Sequence, residues 1–514
     1  MEYRTLGKSG LRVATLTHGI KTLGGKGMFD EMVTCGIKEL REGFLSCVRR
    51  AHQSCLIRSR MCSADEVQLN GKRVKKQDGR QMFTTSLLIG LVLAISYTSS
   101  LTAQELHFES NKPFGEAKGI CPGRVTWVRD SLVARWNGKD GHWWDDGNID
   151  LNRLETMFDK SLCALSEASS AKKAWKNIFR YYNEHNGRGS RGYKKGEKIA
   201  IKINLNNTYD TDDHDNDIDQ SPQATIALLR QLTVNAGVPQ ECITIYDATI
   251  GWKKRAIPNR LYKPVHRLFP HVKWMSAAGS PGVDSAHWVN DAITYTDPSV
   301  TLGTVLPQAV KDASYLINMA LLKGHEISGV TLCAKNHFGS VPFPSRMHGT
   351  HTVSQMMGAE GDYSAYVDLM GCPNLGKKTL LYIVDGLYGM QTNVGAPHTD
   401  RDRWKMFGNQ WSASYFMSLD PVAIECVCMD FLFAEFGGEL GFSGAPQFKK
   451  GSSRNCDNYL KEAAKGRNAK FGDYRPNGVK TGSLGVFEHW NNASDKQYSR
   501  NLGKKTGIEL YEVK

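Results

Sequence analysis

The chain has 514 residues, of which 40% are hydrophobic and 23% are charged, and this composition excludes an intrinsically disordered protein. Its length allows two or more domains, or one large α/β domain with additions. The formal net charge is +13, but residues 1–80 contribute +8 and leave only +5 for the rest of the chain. A nucleic-acid partner is therefore not expected, because nucleic-acid-binding domains concentrate positive charge on themselves.

The opening stretch, "MEYRTLGKSGLRVATLTHGIKTLGG", resembles the start of aldo/keto reductases, which begin with a short hairpin and a first barrel strand. The resemblance ends after about 25 residues. No barrel repeat follows, and no Asp…Tyr-Gly segment supplies that family's proton-donating tyrosine. An aldo/keto reductase-like oxidoreductase is therefore only an alternative. We expect residues 1–81 to be a spurious or fused upstream segment, because a second plausible initiator, Met82, follows them.

Residues 82–103, "MFTTSLLIGLVLAISYTSSLTA", have the pattern of a secretory signal peptide. Several basic residues precede an apolar core from Leu87 to Ile95, and the small residue Ala103 marks the cleavage site. The core is too short for a membrane span, so no stable span is expected after cleavage. This pattern predicts an exported, periplasmic or extracellular protein. A buried helix or an uncleaved anchor is the alternative.

The rest of the chain divides into three predicted regions. The first is an N-terminal helical and loop extension, with helical periodicity from about Leu151 to Tyr182. The second is the core domain, in which strands and helices alternate, and the third is a loop-rich C-terminal extension. The predicted bounds of these regions are 104–195, 196–445 and 446–514.

The alternation in the core predicts an α/β fold with an open, doubly wound, mostly parallel sheet and helices on both faces. A helix is predicted over 221–237, with Ser221 as N-cap, Pro222 in its first turn and Gly237 at its end. The predicted strands are "KIAIKINLN" (198–206), "ITIYDAT" (243–249), "SYLINMALL" (314–322), "TLLYIVDGL" (379–387) and "ASYFMSLDP" (413–421).

Polar residues follow these apolar strands, and in open α/β sheets such residues gather around a ligand at the carboxyl ends of the strands. Lysines would hold an anion, and histidine or aspartate would move a proton. The predicted catalytic residues are His325, Lys323, Lys335 and Asp385. The predicted substrate-binding residues are Lys202, Asn204, Thr331, Asn336 and Asp247.

A helix over 327–337 would place Ser328, Thr331 and Lys335 on one face and direct its N-terminal amides at an anion beside His325.

Each of these assignments has a structural alternative. Asp420 before Pro421 is typical of a helix N-cap, and we favour that role over a chemical one. Asp247 and Asp385 are also typical of turns. Lys202 and Asn204 would face solvent if their strand lay at the edge of the sheet.

The metal signals are weak, and the metal and cofactor are left unknown, with a divalent ion still open. The run "YDTDDHDNDID" (209–219) has calcium-type ligands but lacks the glycine and terminal glutamate of an EF-hand, which favours a solvated acidic loop. His348 and His351 form only a weak zinc pair. None of the twelve cysteines forms a Cys-x-x-Cys pair, so no iron–sulfur cluster is expected. The eight cysteines after residue 100 permit disulfides in an exported protein.

The sequence also lacks the G-x-S-x-G elbow, the Walker loop, a G-x-G-x-x-G after a strand and the H-E-x-x-H motif. Serine hydrolases, nucleotide triphosphatases, dinucleotide-dependent enzymes and zincins therefore lose their main support.

Several segments together resemble the domain of unknown function 362 family over about residues 195–435. They are "IKINLN" (201–206), "SPQATIALLRQLTVNAG" with "ITIYDAT", "YLINMALLKGHEISGVTLCAKNHFGSV" (315–341), "YIVDGLYG" (382–389) and "LDPVAIECV" (419–427). The resemblance implies no activity, since the family has none assigned. The positions that match its motifs are Lys202, Asn204, Asp247, Lys323, His325, Thr331, Lys335, Asn336, Gly339, Asp385, Asp420 and Pro421.

The sequence thus predicts an exported α/β protein, an enzyme that acts on an anionic small molecule or sugar acid. Lys202, Lys323 and Lys335 would hold the anion, His325 would be the general acid or base, and Asp247 or Asp385 would orient it or share a metal. A non-catalytic exported ligand-binding protein with the same pocket is the alternative.

Overall fold

The computed structural model describes residues 3–6, 11–14, 109–250, 254–300, 303–325, 328–342, 363–437 and 456–514. The chain divides into two compact units, Met1–Leu101 and Thr102–Lys514. The described part of the first unit is an antiparallel hairpin of strands β1 (Tyr3–Leu6) and β2 (Leu11–Ala14). The predicted signal peptide, 82–103, and the other residues of the upstream segment lie outside the described residues.

The second unit alternates strands and helices, as expected. Its described strands are β3 (Phe114–Gly115), β4 (Arg124–Arg129), β5 (Ile199–Lys202), β6 (Ile243–Asp247), β7 (Lys273–Ser276), β8 (Asp284–Ser285), β9 (Trp288–Val289), β10 (Leu306–Pro307), β11 (Tyr315–His325), β12 (Gly329–Thr331), β13 (Thr379–Met390), β14 (Ser414–Ser418), β15 (Arg467–Asn468), β16 (Gly472–Asp473), β17 (Val486–Phe487) and β18 (Glu509–Val513). Its described α-helices are α1 (Leu151–Ser166), α2 (Ala171–His185), α3 (Pro222–Arg230), α4 (Asn259–Leu268), α5 (Gln308–Asp312), α6 (Cys333–Asn336), α7 (Ala365–Gly371), α8 (Pro421–Phe436) and α9 (Cys456–Lys465). None of these helices combines the length and apolar character that a membrane span requires.

Ten strands form the main sheet, in the order β18-β4-β14-β13-β11-β5-β6-β7-β8, with β12 paired to β11. The pairs from β13 through β8 are parallel, whereas β14 runs antiparallel to both β13 and β4. The predicted mostly parallel α/β sheet is confirmed. Strands β4 and β18 enter it from the two regions that flank the predicted core, which sequence patterns had assigned to helices and loops.

The strand β5 lies in the middle of the sheet, between β11 and β6. All four of its residues are buried, so the edge-strand alternative for Lys202 is wrong. Its residues alternate between two hydrophobic cores, one on each face: Ala200 packs in the first core, and Ile199 and Ile201 pack in the second. A lysine on such a strand is enclosed on all sides, and its charge must be compensated within the protein.

The start and the end of the helical segment that contains α3 follow the predicted signals. The Ser221 side chain accepts a hydrogen bond from the Ala224 amide, and Pro222 opens α3. The α-helical part ends at Arg230, and a π-helical turn continues it over Gln231–Asn235, so the predicted helix is confirmed and its last turn is π-helical. The backbone then turns at Gly237, where φ is +70°, as the C-terminal glycine signal predicts.

Asp420 is a helix cap, as the sequence favoured. Its Oδ1 accepts the amides of Val422 and Ala423 at the start of α8, at 3.0 and 2.9 Å. Its Oδ2 accepts the amides of Lys118 and Val486 at 2.9 and 3.2 Å, which ties two distant segments to the helix. With four backbone bonds, the carboxylate is committed to the fold and not to a ligand.

Candidate functional site

The carboxyl ends of β5, β6, β11 and β13 carry most of the predicted site residues, but the local fold around β11 differs from the prediction. The strand continues past its apolar run to His325 and then folds back antiparallel through β12, with Lys323 opposite Thr331. Gly329, with φ at +75°, opens β12 directly after this reversal. The predicted helix over 327–337 is therefore wrong, and only the short helix α6 and a 3₁₀ turn, His337–Ser340, follow the hairpin.

A buried ion pair organises the first part of the site. Lys202 Nζ lies 2.9 Å from Asp247 Oδ2, and both side chains are almost fully enclosed, with exposures of 1% and 3%. Lys202 Nζ also donates to the Ile203 carbonyl at 2.5 Å and to Asn336 Oδ1 at 3.1 Å. Asp247 accepts the Leu205 amide at 3.0 Å. All these bonds join Lys202 and Asp247 to groups of the protein itself. The ion pair therefore holds the site residues in position and is not a ligand contact.

Asn336 on α6 connects this ion pair to β11. Its Nδ2 donates to Asn318 Oδ1 at 2.8 Å and to the Met319 carbonyl at 3.2 Å, and its Oδ1 accepts Asn204 Nδ2 at 3.2 Å. Asn318 in turn donates to the Cys333 carbonyl and contacts His337 Nε2 at 3.1 Å. Neither Asn318 nor His337 was predicted to belong to the site, although Asn318 is a lone polar residue in the apolar run of β11.

Gly339 lies against the ion pair so closely that a side chain has no room. A Cβ at this position would lie 2.7 Å from Lys202 Nζ and 2.7 Å from Thr249 Oγ1. We expect Gly339→Ala to destabilise the protein by about 1–3 kcal/mol, since Lys202 would have to move away from its partners. Urea unfolding measures this effect. Gly192, with no atom within 4 Å of its Cβ position, provides the control Gly192→Ala, and an equal loss in both variants would contradict the account.

The second part of the site surrounds Lys323 and Asp385. Lys323 Nζ donates to the Ile218 carbonyl at 3.2 Å. Asp385 accepts the Leu387 amide at 3.0 Å, as a turn former does, and also the Gln220 side chain at 3.1 Å. Burial raises the pKa of Asp385 to about 6. This carboxyl therefore changes its protonation closer to neutral pH than an exposed aspartate does, which suits acid–base work.

A small cavity of about 10 Å³ adjoins Asp385, with room for about one water molecule. Its lining is mixed, with Asp219 and Asp385 beside apolar and aromatic side chains. The lining residues are Trp143, Ile218, Asp219, Leu321, Leu322, Asp385, Leu387 and Tyr388.

Three polar side chains of the site have buried atoms with no hydrogen-bond partner in the described part of the chain. Thr331 Oγ1 lies on the strand opposite Lys323, and Gln220 Oε1 belongs to the residue that binds Asp385. Asn204 Oδ1 is the third. Buried polar atoms are rarely left without partners, and such atoms mark a place where a ligand or a water binds.

His325 is the last residue of β11, and a backbone amide orients its ring. The Ser328 amide donates to His325 Nδ1 at 3.1 Å, so Nδ1 acts as an acceptor and the ring proton is assigned to Nε2. The side chain is 7% exposed. A histidine held in one tautomer in this way can transfer a proton at its second nitrogen.

Lys335 is placed differently from the other two lysines. Its side chain is partly exposed, and Nζ lies 4.0 Å from the centre of the Phe338 ring. Burial lowers the pKa of Lys335 to about 7, and the nearby charges of Lys202, Arg255 and Lys323 add to this effect. Burial likewise lowers the pKa of Lys323 to about 8. In the part of the chain that the structure describes, neither lysine forms an ion pair.

Arg255 is a buried cation that sequence reasoning missed. Its guanidinium lies 3.7 Å from the centre of the Tyr209 ring, and its Nη1 has no hydrogen-bond partner among the described residues. It also forms no ion pair with any described residue, and its charge acts on both Lys323 and Lys335. The basic run "KKR" at 253–255 is the only signal, and such runs usually lie on the surface.

Glu425 on α8 occupies the place where an anion was predicted to bind. It accepts the Ala334 amide at the start of α6 and the Tyr459 hydroxyl, and burial raises its pKa to about 7. The N-terminal amides of α6 are therefore satisfied by the protein's own carboxyl. Glu425 holds in place the helix that carries Lys335 and Asn336. Its position in the apolar first half of α8 was the available signal.

No metal centre is evident in this part of the chain. Among the described residues, no group of three or more His, Cys, Asp or Glu side chains is placed to hold a metal ion. In the acidic run, Asp210, Asp213 and Asp215 each accept a backbone amide two residues further on, as turn-forming aspartates do. His348 and His351 lie outside the described residues. The eight described cysteines are all free thiols.

The comparisons with known proteins assign no activity to the chain. No curated protein and no solved structure matches the chain. The resemblance of residues 1–25 to aldo/keto reductases is not borne out by these comparisons. The stretch 199–430 matches a family model described as a domain of unknown function, DUF362, and it contains all the residues that the sequence predicted for the site. Over these residues the chain is therefore similar to the DUF362 family.

Proposed function

We propose that this protein is an enzyme that binds an anionic small molecule, such as a sugar acid, beside Arg255, Lys323 and Lys335 and transfers a proton on it. The observation that carries the proposal is that these three cations interact electrostatically with one another and form no ion pair with any described residue. Taking a charged group out of water without a partner costs several kcal/mol. An anion that binds among them would offset that cost.

The local charge balance supports an anionic ligand. Of the nearby carboxylates, Asp247 is paired with Lys202. Asp219 accepts the Asn207 amide and the Thr208 hydroxyl and lies 3.7 Å from Arg260. Both carboxylates therefore have partners, and the charge of Asp219 also acts on Lys323 and offsets part of the effect of its burial. Lysine and arginine supply the charge for carboxylate or phosphate recognition, and Thr331 Oγ1 supplies a hydroxyl that can donate to the same anion.

Proton transfer is assigned to His325 and Asp385. His325 is held in one tautomer by the Ser328 amide. Asp385 has a pKa raised to about 6, and a group that titrates near the working pH is an efficient general acid or base. The ion pair of Lys202 with Asp247 serves to fix the ends of β5 and β6, and it is not proposed as a substrate contact.

Isothermal titration with oxalate and with inorganic phosphate tests the binding part of the proposal. We expect Arg255→Gln to weaken the affinity for the anion about tenfold to a hundredfold, because a hydrogen bond to a charged group contributes about 1.5–3 kcal/mol. Arg129→Gln is the control. Arg129 also lies over an aromatic ring, at 4.4 Å from the centre of Phe407, but it belongs to β4 and not to the site. Absence of binding by either anion, or equal effects of both variants, would contradict the proposal.

The same preparation separates an enzyme from a binding protein. A panel of sugar acids and oxo acids is incubated with the protein, and the products are identified by mass spectrometry. Turnover of a panel member, lost in His325→Ala, supports the enzyme. Tight binding of a compound that is recovered unchanged favours the non-catalytic alternative.

We also propose that the protein is exported and that residues 82–103 are removed as a signal peptide. The support is the sequence pattern alone, because this segment lies outside the described residues. We expect N-terminal sequencing of protein secreted by the native cell to begin near Gln104. A mature terminus within residues 1–81 would overturn the proposal.

A further inference from the structure

A second cavity, of about 600 Å³, opens at the surface next to the segment that follows β13. It is lined by three cations, Arg401, Arg403 and Lys405, and by two carboxylates, Asp400 and Glu435. The residues predicted for the site lie outside this lining. Cavities of about 300–1,000 Å³ hold small organic molecules, so this one has room for a ligand and not only for water.

Carboxylates fix the backbone of the cavity wall. Glu435, close to the end of α8, accepts the amides of Lys405 and Met406 at 2.7 and 3.1 Å. Asp402 is buried, accepts two backbone amides at 2.9 Å and lies 3.2 Å from Arg401 Nη2. These carboxylates are therefore committed to the chain, and the cavity is formed before a ligand binds.

Two of the lining cations have no counter-ion among the described residues. The Arg403 guanidinium lies 3.9 Å from the centre of the Trp411 ring, and its Nη2 donates to the Trp136 carbonyl at 3.3 Å. The rings of Trp136 and Trp411 are stacked with their centres 6.0 Å apart, which fixes the position of Arg403. The second cation, Lys405, has an exposed side chain. Both cations can therefore bind an anion that enters the cavity.

The other lining side chains suit a ligand with hydroxyl groups. Gln391, Thr399 and Asn409 carry groups that donate and accept hydrogen bonds. A sugar hydroxyl likewise donates and accepts. The half-buried Phe436 ring gives an apolar surface against which the C–H groups of a sugar ring can pack. The lining thus combines an anion-binding part with a part that matches a sugar.

We propose that this cavity binds a sugar monophosphate, with the phosphate at Arg403 and Lys405. The planar arginine fork matches two phosphate oxygens, and lysine adds a compact charge. Asp400 is exposed, and its negative charge opposes a second phosphate, so a monophosphate fits better than a polyphosphate. The inference goes beyond the proposed function and does not depend on it, because the three cations of the anion site do not line this cavity.

Isothermal titration of the whole protein tests the proposal. The ligands are the terminal monophosphates of glucose, fructose and ribose, and the matched control ligands are the free sugars and inorganic phosphate. We expect at least one sugar monophosphate to bind at least about tenfold more tightly than its free sugar or inorganic phosphate, because only the whole molecule uses both parts of the lining.

A lysine variant locates the bound phosphate. Lys405→Gln removes a cation from an exposed position, so the fold should be unchanged. We expect this variant to bind the sugar monophosphate about tenfold to a hundredfold more weakly, because it loses a hydrogen bond between two charged groups. Lys504→Gln is the control, since Lys504 is also exposed but lies outside the cavity lining, and it should bind like wild type.

An arginine variant separates this cavity from the anion site. Arg255→Gln should bind the sugar monophosphate like wild type, and Lys405→Gln should bind oxalate like wild type. Sugar monophosphate binding that is lost in Arg255→Gln and kept in Lys405→Gln would overturn the inference and leave the proposed function standing. The inference is also overturned if none of the three monophosphates binds, if inorganic phosphate binds as tightly as they do, or if Lys405→Gln and Lys504→Gln behave alike.

Discussion

Replacing Asp247 by alanine is expected to lower the free energy of unfolding by about 3–5 kcal/mol, the range observed when one partner of a buried ion pair is removed. Lys202 would keep its charge at a position that is 1% exposed, with only neutral oxygens as partners. The Leu205 and Thr249 amides would also lose an acceptor. Guanidinium unfolding followed by tryptophan fluorescence measures the loss.

Two controls make this result specific to the buried pair. Asp473→Ala breaks a surface pair with Lys480 and should have little effect on stability, because water and salt screen such pairs. The double variant Lys202→Met with Asp247→Leu removes both charges and should regain most of the stability lost in Asp247→Ala. A small effect of Asp247→Ala, or a double variant as unstable as the single one, would show that the pair does not organise the strand ends.

Replacing Lys323 by methionine is expected to raise the free energy of unfolding of the ligand-free protein, which is the opposite of the effect of Asp247→Ala. Lowering the pKa from 10.5 to about 8 in the folded state corresponds to a penalty of about 3 kcal/mol at pH 7. Methionine fills a similar volume without a charge, so the variant avoids this penalty. The same variant should bind oxalate more weakly, because one of the three cations is gone.

The pH dependence gives this prediction a second readout. Below pH 8 the amine is charged in both states, and the penalty is complete. Between pH 8 and 10.5 the folded protein binds fewer protons than the unfolded chain, so the stability of wild type rises relative to the variant. Above pH 10.5 the difference should vanish. Lys198→Met, at an exposed position, should be nearly neutral throughout, and a destabilised Lys323→Met would contradict an unpaired charge.

The sheet and the strand ends were predictable because they depend on local patterns. Alternating apolar residues placed β5, and an apolar run broken only by Asn318 placed β11. The Ser221 and Asp420 signals placed the starts of α3 and α8. The position of β5 within the sheet was not predictable, because strand order depends on pairing between residues far apart in the sequence. Lys202 is enclosed because this order places β5 between β11 and β6.

The structure places Lys323 and Thr331 opposite each other in a hairpin, whereas the sequence predicted a helix over 327–337. A short apolar run is compatible with either element, so the sequence alone did not decide between them. Arg255 and Glu425 were missed because each comes to the site from outside the block after β11. Their roles depend on contacts with residues about 70 to 90 positions away, such as the bond from the Ala334 amide to Glu425.

The most direct test of the account is diffraction from crystals of the protein soaked in sodium selenate, measured at the selenium absorption edge. Selenate is an oxyanion whose position is visible through its anomalous scattering, and the cation cluster should hold it. The account predicts an anomalous peak within hydrogen-bond distance of Arg255 Nη1, Lys323 Nζ or Lys335 Nζ, and no such peak in Arg255→Gln. A well-ordered cluster without selenate, in crystals that bind the ion elsewhere, would contradict the anion site.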